Sequence, residues 1–131
     1  MINKLSVEIH KNAEAKGFWE SRNVAEKIAL IHSEVSEALE CDRSRKFYSN
    51  IIEENEWYIE AMADKKYEFE DDLHFEEEFE DLVKDTFEDE LADIMIRVMD
   101  LAVYHMVDLE AHIKAKMRYN SLRPYKHGKK Y

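Results

Sequence analysis

The helical spacing of apolar residues constrains the fold of this chain more than any other feature. Apolar residues recur at intervals of four and three in two stretches, Ile31, Val35, Ala38 and Phe87, Leu91, Ile94. This period is typical of one face of an amphipathic α-helix. Glycine occurs twice and proline once in 131 residues, so the chain has few of the turn residues that a many-stranded protein needs. We therefore predict an all-α fold, an antiparallel bundle of four to six helices.

Residues that favour helix ends set the bounds of four predicted helices. Serine, threonine, asparagine and aspartate cap helix N-termini, and glycine commonly follows a helix C-terminus. On these signals the helices are Met1–Lys16 before Gly17, a helix from Asn23 to about Arg43, Phe87–Tyr104 after Thr86, and Leu109–Asn120 after Asp108. From its length, the chain is predicted to form one domain over residues 1–131.

An acidic stretch, residues 44–85, separates the helix that ends near Arg43 from the helix that begins at Phe87. Apolar residues alternate with acids there at a spacing compatible with helix, so we predict an expanded helical insert. Its acids form either a solvated helix face or an arm that docks a basic partner. Both interpretations stay open.

The charge of the chain is unevenly distributed. Its formal net charge of −11 disfavours binding to a nucleic acid polymer through the overall field. The C-terminal tail, residues 121–131, is basic instead; it is either a frayed end or a segment whose Arg and Lys side chains bind phosphates.

The sequence has no apolar run long enough for a membrane span and no signal sequence. We expect a cytoplasmic protein with no membrane partner.

Two pairs of carboxylates occupy similar positions on two of the predicted helices. Glu34 and Glu37 are three residues apart, and so are Glu90 and Asp93, so each pair projects from one side of its helix. If the two helices pack through their apolar faces, four hard oxygen ligands converge, a set that suits Mg²⁺, with Mn²⁺ as the alternative. Because Mg²⁺ commonly completes its shell with substrate phosphates, we predict that these four residues are both metal-binding and catalytic.

Two other classes of protein also carry acidic helices. A di-iron carboxylate bundle usually has Glu-x-x-His on two helices, and no histidine follows a glutamate by three residues in this chain. A non-catalytic acidic adaptor or metal-binding interaction module stays open as an alternative to an enzyme.

Trp19 is open to two interpretations. It is either an aromatic residue of the core or a surface on which a base stacks.

Three segments of the chain resemble the MazG-like all-α nucleoside triphosphate pyrophosphohydrolases. They are L-I-H-S-E-V-S-E-A-L-E at 30–40, D-E-L-A-D-I-M-I-R-V-M-D-L-A at 89–102, and K-M-R-Y-N-S-L-R-P-Y-K-H-G-K-K at 116–130. The resemblance covers roughly residues 18–43 and 86–130. The two acidic pairs lie further apart than is common in that family, because residues 44–85 are expanded.

The resemblance implies Mg²⁺-dependent cleavage between the α and β phosphates of a nucleotide, giving a monophosphate and pyrophosphate, as in cleaning of the nucleotide pool. By the matching positions, it implies that the metal ligands are Glu34, Glu37, Glu90 and Asp93. It implies further that the residues facing the phosphates are Lys116, Asn120, Arg123, Lys126 and Lys129, to which Trp19 is added as the candidate for base stacking. Such proteins usually assemble as homodimers or homotetramers.

Overall fold

The computed structural model describes residues 1–48, 56–63 and 72–130. Within these ranges the protein is all-helical and contains no strand, which confirms the predicted fold class. The described helices are α1 (Ile2–Ala15), α2 (Val24–Ser44), α3 (Glu56–Ala63), α4 (Asp72–Leu82), α5 (Phe87–Tyr104) and α6 (Leu109–Ser121), followed by a 3₁₀ helix, Tyr125–Gly128. None of these helices has both the length and the apolar character that crossing a membrane requires.

Local capping explains where the helices begin and end. Asn23, Thr86 and Asp108 each accept a backbone N–H from the first turn of α2, α5 and α6, at 3.1, 3.4 and 3.0 Å. Gly17 follows α1 with a φ of +81°, a left-handed conformation that glycine adopts without strain. These four predicted capping residues are confirmed.

The chain divides into two compact units, residues 1–27 with 96–131 and residues 28–95. In the first unit α1 lies against α6: Asn3 Oδ1 accepts the backbone N–H of Glu110 at 3.1 Å, and Asn3 Nδ2 donates to Asp108 at 2.7 Å. The second unit holds most of α2, the helices α3 and α4, and the first half of α5. Helices α3 and α4 confirm helix within the expanded segment 44–85; its other residues from 49 to 71 lie outside the described ranges.

The buried side of α2 keeps Ala38 of the predicted apolar face, but at one point on α2 and one on α5 it is displaced by one residue. Val35 and Leu91 belong to the predicted faces, yet their side chains are 49% and 44% exposed. Their neighbours Glu34 and Glu90 are only 6% and 4% exposed. The two carboxylates therefore lie within the buried side of their helices and not at its edge. That displacement places charge where a helix normally buries apolar atoms.

Candidate metal centre

Three carboxylates of the second unit converge on one point. Glu34 comes from α2, and Glu90 and Asp93 come from successive turns of α5; one oxygen of each lies within 4.8 Å of the others. The i,i+3 spacing places Glu90 and Asp93 on one side of α5. The structure thus brings together three of the four residues predicted to bind the metal.

Glu37, the fourth predicted ligand, is exposed and lies outside this group of three. Glu34 is buried whereas Glu37, one turn further along α2, is exposed, so Glu37 lies at the rim of the buried side. Its carboxylate is still close enough to raise the pKa of Glu90, where its charge is the second cause after burial.

Glu90 is a buried carboxylate, and within the described part of the chain one of its two oxygens has no hydrogen-bond partner. Among the described residues no group hydrogen-bonds its Oε2 atom, which is buried. Burial raises the pKa of Glu90 to about 7, and the charges of Glu37 and Glu34 raise it as well, followed by those of the acids on α5. A buried charge is costly unless it is paired. A cation at this point would supply the missing partner.

The donor set fits a hard divalent cation. Carboxylate oxygens are the ligands that Mg²⁺ and Mn²⁺ prefer, and Mg²⁺ keeps several positions for water or phosphate oxygens. A nearby thiol, that of Cys41, is not available in its metal-binding form. Cys41 is buried, its thiol donates to the Asp85 carbonyl at 3.4 Å, and burial together with the charge of Glu90 raises its pKa. It therefore stays a protonated thiol.

Asp89 is an acidic neighbour of the site that the sequence analysis missed. Its Oδ2 atom accepts the backbone N–H of Asp85 at 3.0 Å. Burial raises the pKa of Asp89, and among the nearby charges that of Glu34 raises it too. Asp89 directly precedes Glu90, so it did not fit a search for carboxylates three residues apart. The signal that could have revealed it is the acidic first turn after the Thr86 cap, where a helix N-terminus favours negative charge.

The residues predicted to contact substrate all belong to the first unit, whereas the four predicted metal ligands belong to the second. Lys116 and Arg123 lie over one ring: their cationic groups are 5.0 and 5.6 Å from the centroid of Tyr119. Asn120 Oδ1 is buried and has no hydrogen-bond partner within the described part of the chain. The remaining two cations of this set, Lys126 and Lys129, are exposed.

Trp19, the sixth predicted substrate contact, is buried. Its ring stacks on Tyr104 with centroids 4.3 Å apart and planes 14° apart. The indole N–H donates to both carboxylate oxygens of Asp100, at 2.9 and 3.0 Å. Because one ring face is covered and the N–H is engaged, this geometry fits the core-aromatic interpretation better than an open stacking surface.

Comparisons with protein-family models, with curated proteins and with solved structures found no match to this chain. The resemblance carried by residues 30–40, 89–102 and 116–130 stays a prediction from sequence. The functional argument therefore depends on the carboxylates and on the charge around them.

Proposed function

We propose that the protein is a Mg²⁺-dependent nucleotide pyrophosphohydrolase. It would convert a (d)NTP or a related nucleotide to the monophosphate and pyrophosphate. Its role would be to clean the nucleotide pool. The observation that carries this proposal is the buried, unpartnered Oε2 of Glu90, in a residue whose carboxylate lies close to those of Glu34 and Asp93. A buried group of like charges needs a cation to offset it. Mg²⁺ held by few protein ligands commonly binds substrate phosphates.

The chain's own residues divide into two roles under this proposal. Glu34, Glu90 and Asp93 would hold the cation, and Glu37 would add negative charge at the rim. When bound, Mg²⁺ or Mn²⁺ supplies stabilisation of the negative charge on phosphate oxygens. From the resemblance alone, Lys116 and Arg123 are proposed to bind phosphate, Arg through a planar fork and Lys as a point charge.

The proposal includes assembly of the chain as a homodimer or homotetramer. Within the second unit, five large apolar side chains of α2 and α5 are 43–50% exposed, namely Ile28, Val35, Leu39, Leu91 and Met95. Single exposed apolar residues are ordinary, but several on neighbouring helices are typical of a surface that another chain covers. These residues would form the contact between copies.

The test is release of pyrophosphate from a panel of standard and modified (d)NTPs with Mg²⁺ or Mn²⁺. We expect Glu90→Gln to lower the rate by about two orders of magnitude or more, because it removes charge from the cation site. Glu40→Gln, which changes an exposed glutamate on α2, is the matched control and should leave the rate unchanged. If no nucleotide yields pyrophosphate with either ion, the proposed activity is wrong.

A non-catalytic acidic adaptor is the second candidate, and the composition of α4 favours it. That helix carries six acidic residues among its eleven, a density of charge that would attract a basic partner. An adaptor would not need a cation site. Titration calorimetry with Mg²⁺ separates the two candidates: the enzyme should give saturable binding that Glu90→Gln abolishes, and the adaptor should give none.

A further inference from the structure

One turn of α1 presents two side chains of metal-binding type next to each other. His10 Nε2 lies 3.7 Å from Glu14 Oε1, four residues further along the helix. Zinc binds histidine nitrogen and carboxylate oxygen at roughly 2.0–2.2 Å, so two such bonds at a tetrahedral angle hold their donor atoms about 3.4 Å apart. The Glu14 side chain is exposed, so a small rotation of it would bring both donors onto one ion.

A carboxylate from α5 holds the opposite side of the His10 ring. Asp100 Oδ1 lies 2.6 Å from His10 Nδ1, and both Asp100 oxygens accept the indole N–H of Trp19. The His10 and Asp100 side chains are 14% and 15% exposed. A histidine that binds a metal commonly donates the N–H of its other ring nitrogen to a carboxylate in this way, which orients the ring and makes the coordinating nitrogen more basic. The contact with Asp100 therefore prepares Nε2 to coordinate.

Nε2 can coordinate a cation whichever protonation state the metal-free ring adopts. Nδ1 faces Asp100, so Nε2 is the ring nitrogen left for a further ligand. In the neutral ring whose proton is on Nδ1, Nε2 has a free lone pair. In the charged ring a cation would displace the Nε2 proton, as metals do when they bind a protonated ligand. The coordinating atom is the same in both cases.

The pair lines a cleft of the first unit that has a volume of about 420 Å³. Glu20 also lines the cleft, and Arg22 offsets one of the two carboxylate charges, so the walls keep a net negative charge when His10 is neutral. The cleft leaves room for water molecules beside a bound ion. None of the carboxylates of the candidate metal centre belongs to these walls, so a site here would be a separate one.

Helix α4 carries a pair with the same spacing, which serves as an internal comparison. His74 Nε2 lies 3.3 Å from Glu78 Oε1, and the His74 side chain is 47% exposed. A side chain that its neighbours already hold in place loses less conformational freedom on binding. We therefore expect His10, and not His74, to belong to the tighter site.

We propose that His10 and Glu14 bind a divalent ion of the later first-row transition metals, represented by Zn²⁺, at a site separate from the candidate metal centre. An imidazole nitrogen together with a carboxylate suits these ions, whereas Mg²⁺ prefers oxygen donors alone. Asp100 acts as the positioning residue for the His10 ring. The remaining positions around the ion fall to water or to Glu20. This inference does not depend on the proposed nucleotide substrate.

The test is titration calorimetry with ZnCl₂ on the full chain carrying Glu90→Gln, which weakens the competing candidate metal centre. We expect saturable binding that an excess of MgCl₂ does not suppress. Adding His10→Gln, Glu14→Gln or Asp100→Asn should lower the affinity for Zn²⁺ about tenfold or more. His74→Gln is the matched control, because it removes a histidine with the same i,i+4 partner, and it should leave the affinity unchanged.

Nuclear magnetic resonance of the imidazole rings in the unaltered protein gives a readout that does not need the Glu90→Gln variant. Zn²⁺ should shift the Nε2 resonance of one histidine, and that resonance should be missing from the spectrum of His10→Gln. Glu14→Gln changes an exposed side chain, so its helical circular dichroism spectrum should be retained. It decides the matter if a substitution of His10 or Asp100 prevents folding.

Three results would overturn the inference. They are no shift of any histidine Nε2 resonance with Zn²⁺, a shift at a histidine other than His10, or an affinity for Zn²⁺ that Glu14→Gln leaves unchanged. A loss of affinity in His74→Gln instead would assign the binding to the pair on α4. Pyrophosphate release enters none of these measurements, so failure of this site leaves the proposed activity standing, and failure of the proposed activity leaves this site standing.

Discussion

The protonation of Glu90 couples the stability of the metal-free protein to pH. Its pKa is raised in the folded state to about 7 from an ordinary value of 4.5. Between these two values the folded state holds a proton that the unfolded state has lost, so the free energy of unfolding falls as pH rises from about 4.5 through about 7. We expect the melting temperature in EDTA to decrease between pH 5.5 and pH 8, by an amount that corresponds to about 2 kcal/mol.

A variant and an added ion control this pH prediction. Glu90→Gln cannot ionise, so its melting temperature should vary less with pH and should exceed that of the unaltered protein at pH 8. Mg²⁺ should raise the melting temperature of the unaltered protein at pH 8 but have little effect on the variant, since binding to the folded state stabilises it. Glu110, whose pKa is lowered to about 2, titrates far below this range and should not interfere. A melting temperature independent of pH in the unaltered protein would contradict the prediction.

At the scale of a single helix, the C-terminus of α5 contains a strained residue whose replacement should stabilise the fold. The backbone N–H groups of Val107 and Met106 donate to the carbonyls of Ala102 and Val103, both at 2.9 Å, in the pattern of a Schellman motif. Met106 has a φ of +54° and a side chain that is 93% exposed. A left-handed conformation costs a non-glycine residue roughly 1–2 kcal/mol. We expect Met106→Gly to raise the free energy of unfolding by about 1 kcal/mol in urea denaturation.

Met106→Ala distinguishes the backbone effect from the loss of an exposed apolar side chain. Alanine keeps the Cβ atom and hence the strain, so this variant should have nearly the stability of the unaltered protein. If alanine stabilised the protein as much as glycine, relief of left-handed strain would not be the cause.

The helix ends were predictable from sequence and the helix faces only in part, for a physical reason. Caps such as Asn23 and Thr86 act within one turn, so local sequence carries their signal. The side of a helix that becomes buried depends on partners distant in the chain. That is why Val35 and Leu91, predicted in the core, are exposed while Glu34 and Glu90 are buried. The ends of α3 and α4 were not predicted, because acids interleave with apolar residues there without clear capping signals.

The same argument applies to the candidate metal centre. Four carboxylates were predicted to converge and three of them do, because the i,i+3 spacing on α5 is a local property and the pairing with α2 followed from the apolar spacing. The rotation that buries Glu34 turned Glu37 towards the rim, and no local signal in the sequence sets that rotation.

At the scale of the whole molecule, the net charge and the exposed apolar side chains act in opposite directions on self-association. Each chain carries a net charge of −11, so two copies repel one another. The half-exposed residues of α2 and α5 favour association through burial of apolar area. If the apolar surface forms the contact, added NaCl should strengthen assembly by screening the repulsion. A contact between the basic tail of one copy and the acidic α4 of another would instead weaken with salt.

Light scattering after size-exclusion chromatography tests this assembly. We expect the unaltered protein to have at least twice the 15.7 kDa mass of one chain, with a larger associated fraction as NaCl is raised. The double variant Val35→Lys with Leu91→Lys places charge on the proposed contact. Because desolvating a lysine is costly, this variant should have the mass of a single chain. Its helical circular dichroism spectrum should be retained. Leu73→Lys makes the same change at an exposed position on α4 and should leave the mass unchanged. A single-chain mass for the unaltered protein at high micromolar concentration would exclude the proposed oligomer. A fall in mass with added NaCl would assign the contact to charge pairing and not to the apolar residues of α2 and α5.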